Sequence, residues 1–167
     1  VRERAELHEE LTLRGTITER WKSEIIWALG NNYTDGLQNL VGPHLTTWSV
    51  GGAMGNTMSQ LNPTLDVVQR FYSDKGVPID EDITYDYAGR FDLVPTPDDP
   101  LRFSKDYTTV KLHLNREPRF YAYIGFDGGR WFDVESGSEN CDNIMEFKTK
   151  RGDPAGIADE IYSITGY

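Results

Sequence analysis

The fold of this chain is decided by the stretch Asn115-Arg116-Glu117-Pro118-Arg119-Phe120-Tyr121-Ala122-Tyr123-Ile124, which continues through Gly125-Phe126-Asp127-Gly128-Gly129-Arg130-Trp131. Pro118 has no backbone N–H, so it fits the first turn of a helix, where that donor would have no intrahelical partner. A short helix is therefore predicted to begin at Glu117-Pro118-Arg119. Asp127-Gly128-Gly129 predicts a turn that leads into a strand at Arg130-Trp131-Phe132.

A second helix is predicted upstream, at Asn62-Pro63-Thr64. Asn62 is a favourable N-cap and Pro63 a favourable first-turn residue. The residues that follow at helical spacing are Leu65, Val68, Gln69 and Tyr72. Gly76 is predicted to end this helix.

Further along the chain, two strands are predicted. Thr108 to Leu114 alternates apolar and polar residues, which is typical of a half-buried strand with His113 on one face. Ile144 to Lys150 is the second candidate. Between Phe91 and Thr108, three prolines predict an exposed stretch without regular structure: Pro95, Pro97 and Pro100.

The longest segment without a periodic apolar pattern, Tyr33 to Leu61, is the candidate ligand loop. Loops of this length in compact domains usually carry function or are disordered. The candidate ligand-binding residues in and beside the loop are Trp48, Tyr33, Asn31, Asn32 and Asn56. A sugar presents an apolar C–H face and a rim of hydroxyls, which an aromatic ring and neighbouring amides can bind. The same set of side chains could hold an extended peptide.

The two arginines of the first stretch have two interpretations. A guanidinium can form paired hydrogen bonds with sugar hydroxyls or with a peptide carboxylate. We favour the structural interpretation, in which Arg116 and Arg119 cap carbonyls or pair with acids such as Glu117 or Asp127. Phe120, Tyr121 and Tyr123 are interpreted as packing residues.

Composition excludes two classes of protein. With 17 Lys and Arg against 27 Asp and Glu, the net charge is −10, which opposes binding to nucleic acid. A run of about 18 apolar residues, which a membrane-spanning helix needs, is absent from the sequence. The one cysteine, Cys141, cannot form a disulfide within the chain.

Paired carboxylates allow a hydrolase hypothesis. Asp133 with Glu135 could act as the acid and nucleophile of a glycosidase, as could Asp80-Glu81-Asp82 or Asp98-Asp99. We favour solvated surface positions for all of them, because none has the apolar neighbours that raise the pKa of a catalytic carboxyl group.

The sequence predicts no transition-metal site. His8, His44 and His113 are far apart and no second cysteine is present. A bound calcium ion at Asp80, Asp82 and Asp86 is left open, although these residues lack the twelve-residue loop pattern of a specific calcium site. No cofactor is expected.

Four stretches, in this order, resemble the SusD/RagB family of bacterial outer-membrane nutrient-binding lipoproteins. They are Ser23-Glu24-Ile25-Ile26-Trp27-Ala28, then Asn62-Pro63-Thr64 with Asp74-Lys75-Gly76-Val77-Pro78-Ile79, then Asn115 to Ala122, and finally Thr165-Gly166-Tyr167. Glu117 stands where the family usually has aspartate. Any one stretch alone would be a weak match, but their order spans most of the chain.

The resemblance implies a mainly α fold with short β-strands and long loops. Residues 1–167 would form a single C-terminal domain fragment, the irregular half that packs on a helical-repeat (TPR-like) half absent from this chain. The upstream part would carry the secretion signal and the cysteine that anchors the protein, through lipid, to the surface of the outer membrane.

The function implied by the resemblance is binding rather than catalysis. The protein would capture a nutrient oligomer at the cell surface and act as a lid on a SusC-like TonB-dependent transporter. Glycan, an oligosaccharide or polysaccharide, is the more frequent ligand class in the family and is favoured. A peptide-binding RagB-like member is the alternative.

Overall fold

The computed structural model describes residues 9–10, 12–13, 15–16, 61–132 and 144–153. The elements from residue 61 onward are α1 (Leu65–Gln69), β1 (Leu93–Pro95), β2 (Thr108–Val110), a 3₁₀ turn (Lys111–His113), α2 (Pro118–Tyr123), β3 (Arg130–Phe132) and β4 (Ile144–Glu146). The described part is therefore a mixed α/β structure of short elements and irregular connections, and helix does not predominate in it. In these ranges, no helix has the length and apolar character needed to cross a bilayer.

Helix α1 begins later than the sequence predicted. Thr64 is its N-cap, with its hydroxyl accepting from the backbone N–H of Val67 at 3.5 Å. Asn62 and Pro63 lie before the helix, so the prediction that Asn62 is the N-cap is wrong. Threonine also fills this role well, because its side-chain oxygen can satisfy an unpaired N–H of the first turn.

Helix α1 also ends earlier than predicted, at Gln69 rather than near Gly76. Tyr72 lies outside the helix because the chain turns back there and forms an antiparallel bridge with Pro78. Gly76 lies in the connecting turn with a φ of +73°. The glycine serves this turn rather than a helix end.

Strands β1 and β2 form one antiparallel pair, with Val94 opposite Thr109. Pro95 belongs to β1, so the prediction that it breaks regular structure is wrong. Proline is tolerated there because a two-stranded sheet consists of edge strands, which need fewer backbone donors. Pro97 and Pro100 lie outside regular elements.

The strand predicted over Thr108 to Leu114 stops at Val110. It gives way to the 3₁₀ turn because the backbone N–H of Lys111 bonds to the carbonyl of Asp92, and that of Leu112 to the carbonyl of Arg90. As a result His113 is buried in the turn and does not lie on a strand face.

Helix α2 begins at Pro118, as predicted, and contributes most to the core. Its Phe120 is fully buried, with ring centroids of Phe71 at 5.8 Å and Phe126 at 5.5 Å. The buried core comprises Val68, Ile79, Phe103, Leu112, Phe120, Tyr121, Ile124 and Phe126. Phe120 and Tyr121 therefore pack in the core as predicted, whereas Tyr123 is only partly buried. The core joins α1 to α2.

The described helical residues between 9 and 16 contact the rest of the described structure through Glu10, Leu13 and Thr16. The guanidinium of Arg102 forms a buried ion pair with Glu10, with 2.7 Å between Nε and Oε1. The hydroxyl of Tyr123 donates to the carbonyl of Leu13 at 3.1 Å. An ion pair with little exposure is screened less by salt than one at the surface.

The predicted turn at Asp127-Gly128-Gly129 is present and leads into β3, which pairs antiparallel with β4. Gly128 has a φ of +87°, and a Cβ there would lie 3.0 Å from Cδ1 of Tyr107 and 3.2 Å from Cβ of Thr109. A side chain at this position would therefore meet both backbone strain and crowding.

Replacing Gly128 with alanine should lower the free energy of unfolding by about 2–4 kcal/mol, from strain and overpacking together. Gly76→Ala is the matched control, since its φ is also positive but no atom lies within 4 Å of the added Cβ. That variant should lose about 1 kcal/mol. Urea unfolding measures both, and equal losses would show that crowding at Gly128 contributes nothing.

Candidate functional site

The ligand-binding residues predicted from the sequence lie outside the described residues. These are Trp48, Tyr33, Asn31, Asn32 and Asn56, and the same holds for the rest of the loop up to residue 60. Asp133 and Glu135, the hydrolase alternative, also lie outside them. Their roles stay predictions.

The side chain of Arg116 donates hydrogen bonds to four backbone carbonyls. We call this side chain and the four carbonyls the arginine junction. Its Nη2 donates to Val68 at 2.8 Å and Phe71 at 2.7 Å, its Nη1 to Leu112 at 2.8 Å, and its Nε to Tyr72 at 3.3 Å. The side chain is almost completely buried, and burial lowers the pKa of the guanidinium. It joins the end of α1 to the chain before α2.

Glu117, the residue after Arg116, adds further contacts to the arginine junction. Glu117 Oε1 accepts from the backbone N–H of Tyr72 at 2.8 Å, and its Oε2 lies 2.6 Å from Nη2 of Arg119. Asn115 has a φ of +54°, a conformation that asparagine adopts more readily than most residues. These contacts agree with the structural interpretation of both arginines.

Asp127, named as a partner for the arginines, accepts hydrogen bonds from other residues. Its Oδ1 accepts from the hydroxyl of Tyr107 at 2.8 Å and from the backbone N–H of Thr149 at 2.9 Å. Burial, the main cause, and hydrogen bonds to Asp153 and Asp127 raise the pKa of Tyr107, so its phenol stays a donor. Asp127 therefore ties the turn before β3 to the chain after β4.

His113 packs in the core against Phe126, with ring centroids 4.6 Å apart. Its Nδ1 lies 2.6 Å from Oγ1 of Thr109, which in turn lies 2.5 Å from the carbonyl oxygen of Asp127. Since a carbonyl can only accept, the hydroxyl donates to it and Nδ1–H donates to the hydroxyl. Burial and the nearby charge of Arg116 lower the pKa of His113 to about 3, so the ring is neutral at neutral pH.

Lowering the pH from 7 to 5 should reduce the free energy of unfolding by about 2 kcal/mol through His113. The folded pKa lies below the ordinary value of 6.5, so only the unfolded chain takes up the proton in this window. Stability is therefore full above 6.5 and falls as the pH decreases.

Urea unfolding of the protein and of His113→Gln at both pH values measures this effect. The two other histidines are present in both proteins, so their contributions cancel. The variant should lose about 2 kcal/mol less than the parent on acidification, and an identical loss in both would contradict the assignment.

The three aspartates considered for calcium are not gathered into one site. Asp82 accepts from the hydroxyl of Thr84 at 2.6 Å and from its backbone N–H at 2.8 Å. The hydroxyl bond is the main cause that lowers the pKa of Asp82 to about 2. Among the described residues, no three His, Cys, Asp or Glu side chains are placed to hold a metal ion. Calcium binding stays an untested prediction.

One surface combines exposed aromatic area with charged groups, and we call it the Phe91 surface: Tyr87, Arg90, Phe91, Asp86, Asp92 and Lys111. The ring of Phe91 is 46% exposed, and Cζ of Arg90 lies 4.4 Å from its centroid and 3.9 Å from that of Tyr87. Sequence reasoning did not identify a site here. The signal available was the spacing of Tyr87, Arg90 and Phe91, which is weak on its own.

The family model of the SusD family (SusD/RagB) matches residues 23–167, so the chain belongs to this family. Members are generally binding proteins rather than enzymes, and generally lipoproteins exposed at the surface of the outer membrane. The family indicates nutrient binding at the cell surface. A search of curated proteins gave no match.

Proposed function

We propose that this protein captures nutrient oligomers, most favourably glycans, at the surface of the outer membrane and delivers them to a SusC-like TonB-dependent transporter. The observation that carries the proposal is the family match over residues 23–167, which includes the aromatic loop and both helix-start motifs. A lipid anchor would hold the protein at the membrane surface, as in the family generally.

Within this proposal the chain has two kinds of residue. The arginine junction and the core around Phe120 stabilise the fold, because their polar groups already form hydrogen bonds within the protein. Ligand contact is assigned to the loop from Tyr33 to Leu61, with Trp48 as the aromatic platform. Residues 1–167 act as one SusD/RagB-like domain.

Glycan is favoured over peptide because it is the more frequent ligand class implied by the family resemblance, and an aromatic ring with nearby amides can bind both the C–H face and the hydroxyls of a sugar. Capture of a peptide remains the alternative within the same class of protein. Hydrolysis of a glycan by Asp133 and Glu135 is the alternative in a different class of protein. Release of reducing ends from a labelled oligosaccharide, lost when either residue is replaced, would establish this hydrolase activity.

Calorimetry with a panel of neutral oligosaccharides and unstructured peptides tests the proposal. The protein should give saturable heat with one glycan class, and Trp48→Ala should weaken binding by about tenfold or more, the loss of roughly one aromatic stacking contact. The control is Arg70→Ala, an exposed position on α1.

Each outcome has a definite meaning. Heat with peptides alone would replace the glycan proposal with the peptide alternative. If a glycan gives heat and its affinity is the same for Trp48→Ala, glycan capture would be supported but the role of Trp48 would be contradicted. Absence of heat with both classes would contradict capture of these ligands.

A further inference from the structure

We propose that the Phe91 surface is a binding site for a sugar ring of a neutral oligosaccharide, in addition to the loop that holds Trp48. This inference rests on the proposed function and assigns a second contact to the same ligand class. It depends on three features of the described residues: an exposed aromatic residue whose ring contacts Arg90, a balanced set of charges on the same segment and on Lys111, and a backbone hydrogen-bonded to the core.

The aromatic ring is held in place without being buried. The guanidinium of Arg90 lies close to the faces of Phe91 and Tyr87, a cation–π arrangement. Its Nε donates to Oε1 of Gln69 at 2.8 Å, and its Nη1 to the carbonyl of Tyr87 at 2.8 Å. Because the cation is fixed on two sides, it positions the ring of Phe91 while leaving nearly half of that side chain exposed.

Two carboxylates converge at Gly89, two residues before Phe91 in the chain. A Cβ on Gly89 would lie 2.6 Å from Oδ2 of Asp86 and 2.8 Å from Oδ2 of Asp92, so both carboxylates flank this glycine. Lys111 Nζ lies 2.6 Å from Oδ2 of Asp86. Two anions and two cations, counting Arg90, give a local charge near zero in a chain whose net charge is −10.

The near-zero local charge indicates which class of ligand the surface fits. A hydroxyl both donates and accepts, so it can donate to Asp92 or Asp86 and accept from Lys111. A local charge near zero gives no net attraction for a sulfated or uronic sugar, and the net charge of the whole chain, −10, opposes an anionic ligand. The groups therefore fit a neutral sugar, whose C–H face can lie against Phe91.

The backbone under the surface is fixed to the core. The carbonyl of Arg90 accepts from the N–H of Leu112 at 2.7 Å, and that of Asp92 from the N–H of Lys111 at 2.9 Å. Leu112 is fully buried. A surface fixed in this way loses little conformational entropy on binding, which favours affinity.

The same hydrogen bonds argue against an extended peptide at this place. A peptide that adds to a sheet edge needs free backbone donors and acceptors along the strand. The carbonyls of Arg90 and Asp92 already have partners, and Pro95 in β1 has no N–H. Side-chain recognition of a sugar is the better match.

Binding of malto-, xylo- and manno-oligosaccharides to the protein and its variants, measured by calorimetry, tests the inference. Phe91→Ala should weaken binding of the recognised oligosaccharide by about tenfold, whereas Phe91→Tyr, which keeps the ring, should stay within about twofold. Gly89→Ala should also weaken binding, because its Cβ displaces both carboxylates. Ile83→Ala is the control, since Ile83 is fully exposed and belongs to no described cluster of the core.

The outcomes separate this inference from the proposed function. If the protein binds an oligosaccharide and Phe91→Ala binds equally well, the Phe91 surface is not a site while glycan capture stands. If the protein binds none of the oligosaccharides, glycan capture itself fails. Preference for a sulfated or uronic oligosaccharide would contradict the neutral-ligand assignment, and unstructured peptides competing at Phe91 would replace the sugar with a peptide.

Discussion

Replacing Arg116 with methionine is expected to lower the free energy of unfolding by about 3–5 kcal/mol. The side chain donates to the carbonyls of Val68, Phe71, Tyr72 and Leu112, and it is almost completely buried. Methionine fills much of the volume but supplies no donor. Each buried carbonyl that loses its donor and gains no hydrogen bond from water destabilises the folded state by about 1–3 kcal/mol.

Arg119→Met is the matched control, three residues along in the same motif. Its side chain is half exposed and pairs with Glu117, and exposed ion pairs contribute about 0–1 kcal/mol. Chemical denaturation of both variants measures the difference. Losses of similar size at the two positions would show that Arg116 does not hold α1 to α2 in the way described.

Replacing Phe120 with alanine is expected to cost a further large amount, about 3–5 kcal/mol. Phe120 has no exposed surface and its ring lies in contact with the rings of Phe71, Tyr121 and Phe126. Truncation removes these contacts and leaves a cavity that such a dense cluster of rings can fill only in part.

Phe91→Ala is the matched control for this substitution, because its ring is nearly half exposed. It should change the free energy of unfolding by about 1 kcal/mol or less while weakening oligosaccharide binding. Thermal or urea unfolding decides the first point. A large loss of stability in Phe91→Ala, or a small one in Phe120→Ala, would contradict the separation of core and surface.

The stretch from Asn115 to Trp131 shows where sequence reasoning succeeds. Pro118 fixes the start of α2, because its ring pre-sets φ and its missing donor excludes later helical positions. The turn at Asp127-Gly128-Gly129 follows from glycine in the same way, since φ is positive at Gly128. Local chemistry alone decides both features.

Features set by distant parts of the chain could not be predicted. Three consecutive residues, Asn62-Pro63-Thr64, offer two adequate N-caps, and Thr64 is used. After the early end of α1, the chain forms bridges between Tyr72 and Pro78 and between Ser73 and Arg116, and the second of these joins distant segments. The alternation after Val110 resembles a strand, yet long-range bonds from Lys111 and Leu112 turn it into a 3₁₀ segment.

The same difference between local and long-range effects applies to the candidate site. The structural roles of Arg116 and Phe120 followed from their place in the motif, although the carbonyls that Arg116 caps could not be named. The Phe91 surface was missed because its charged members come from two separate segments, Asp86 to Asp92 and Lys111. Only tertiary contacts bring Lys111 and Asp86 to 2.6 Å.

We propose that the stretch from Asn115 to Ala122 builds a scaffold and that the ligand binds elsewhere on the chain. Titrating the ¹⁵N-labelled protein with the oligosaccharide that gives the largest heat, and following the backbone amide shifts, tests it most directly. We expect saturable shifts in residues 31–56 and 86–92, with little change from 116 to 122. Shifts confined to the arginine junction, or no saturable shift with any oligosaccharide, would contradict it.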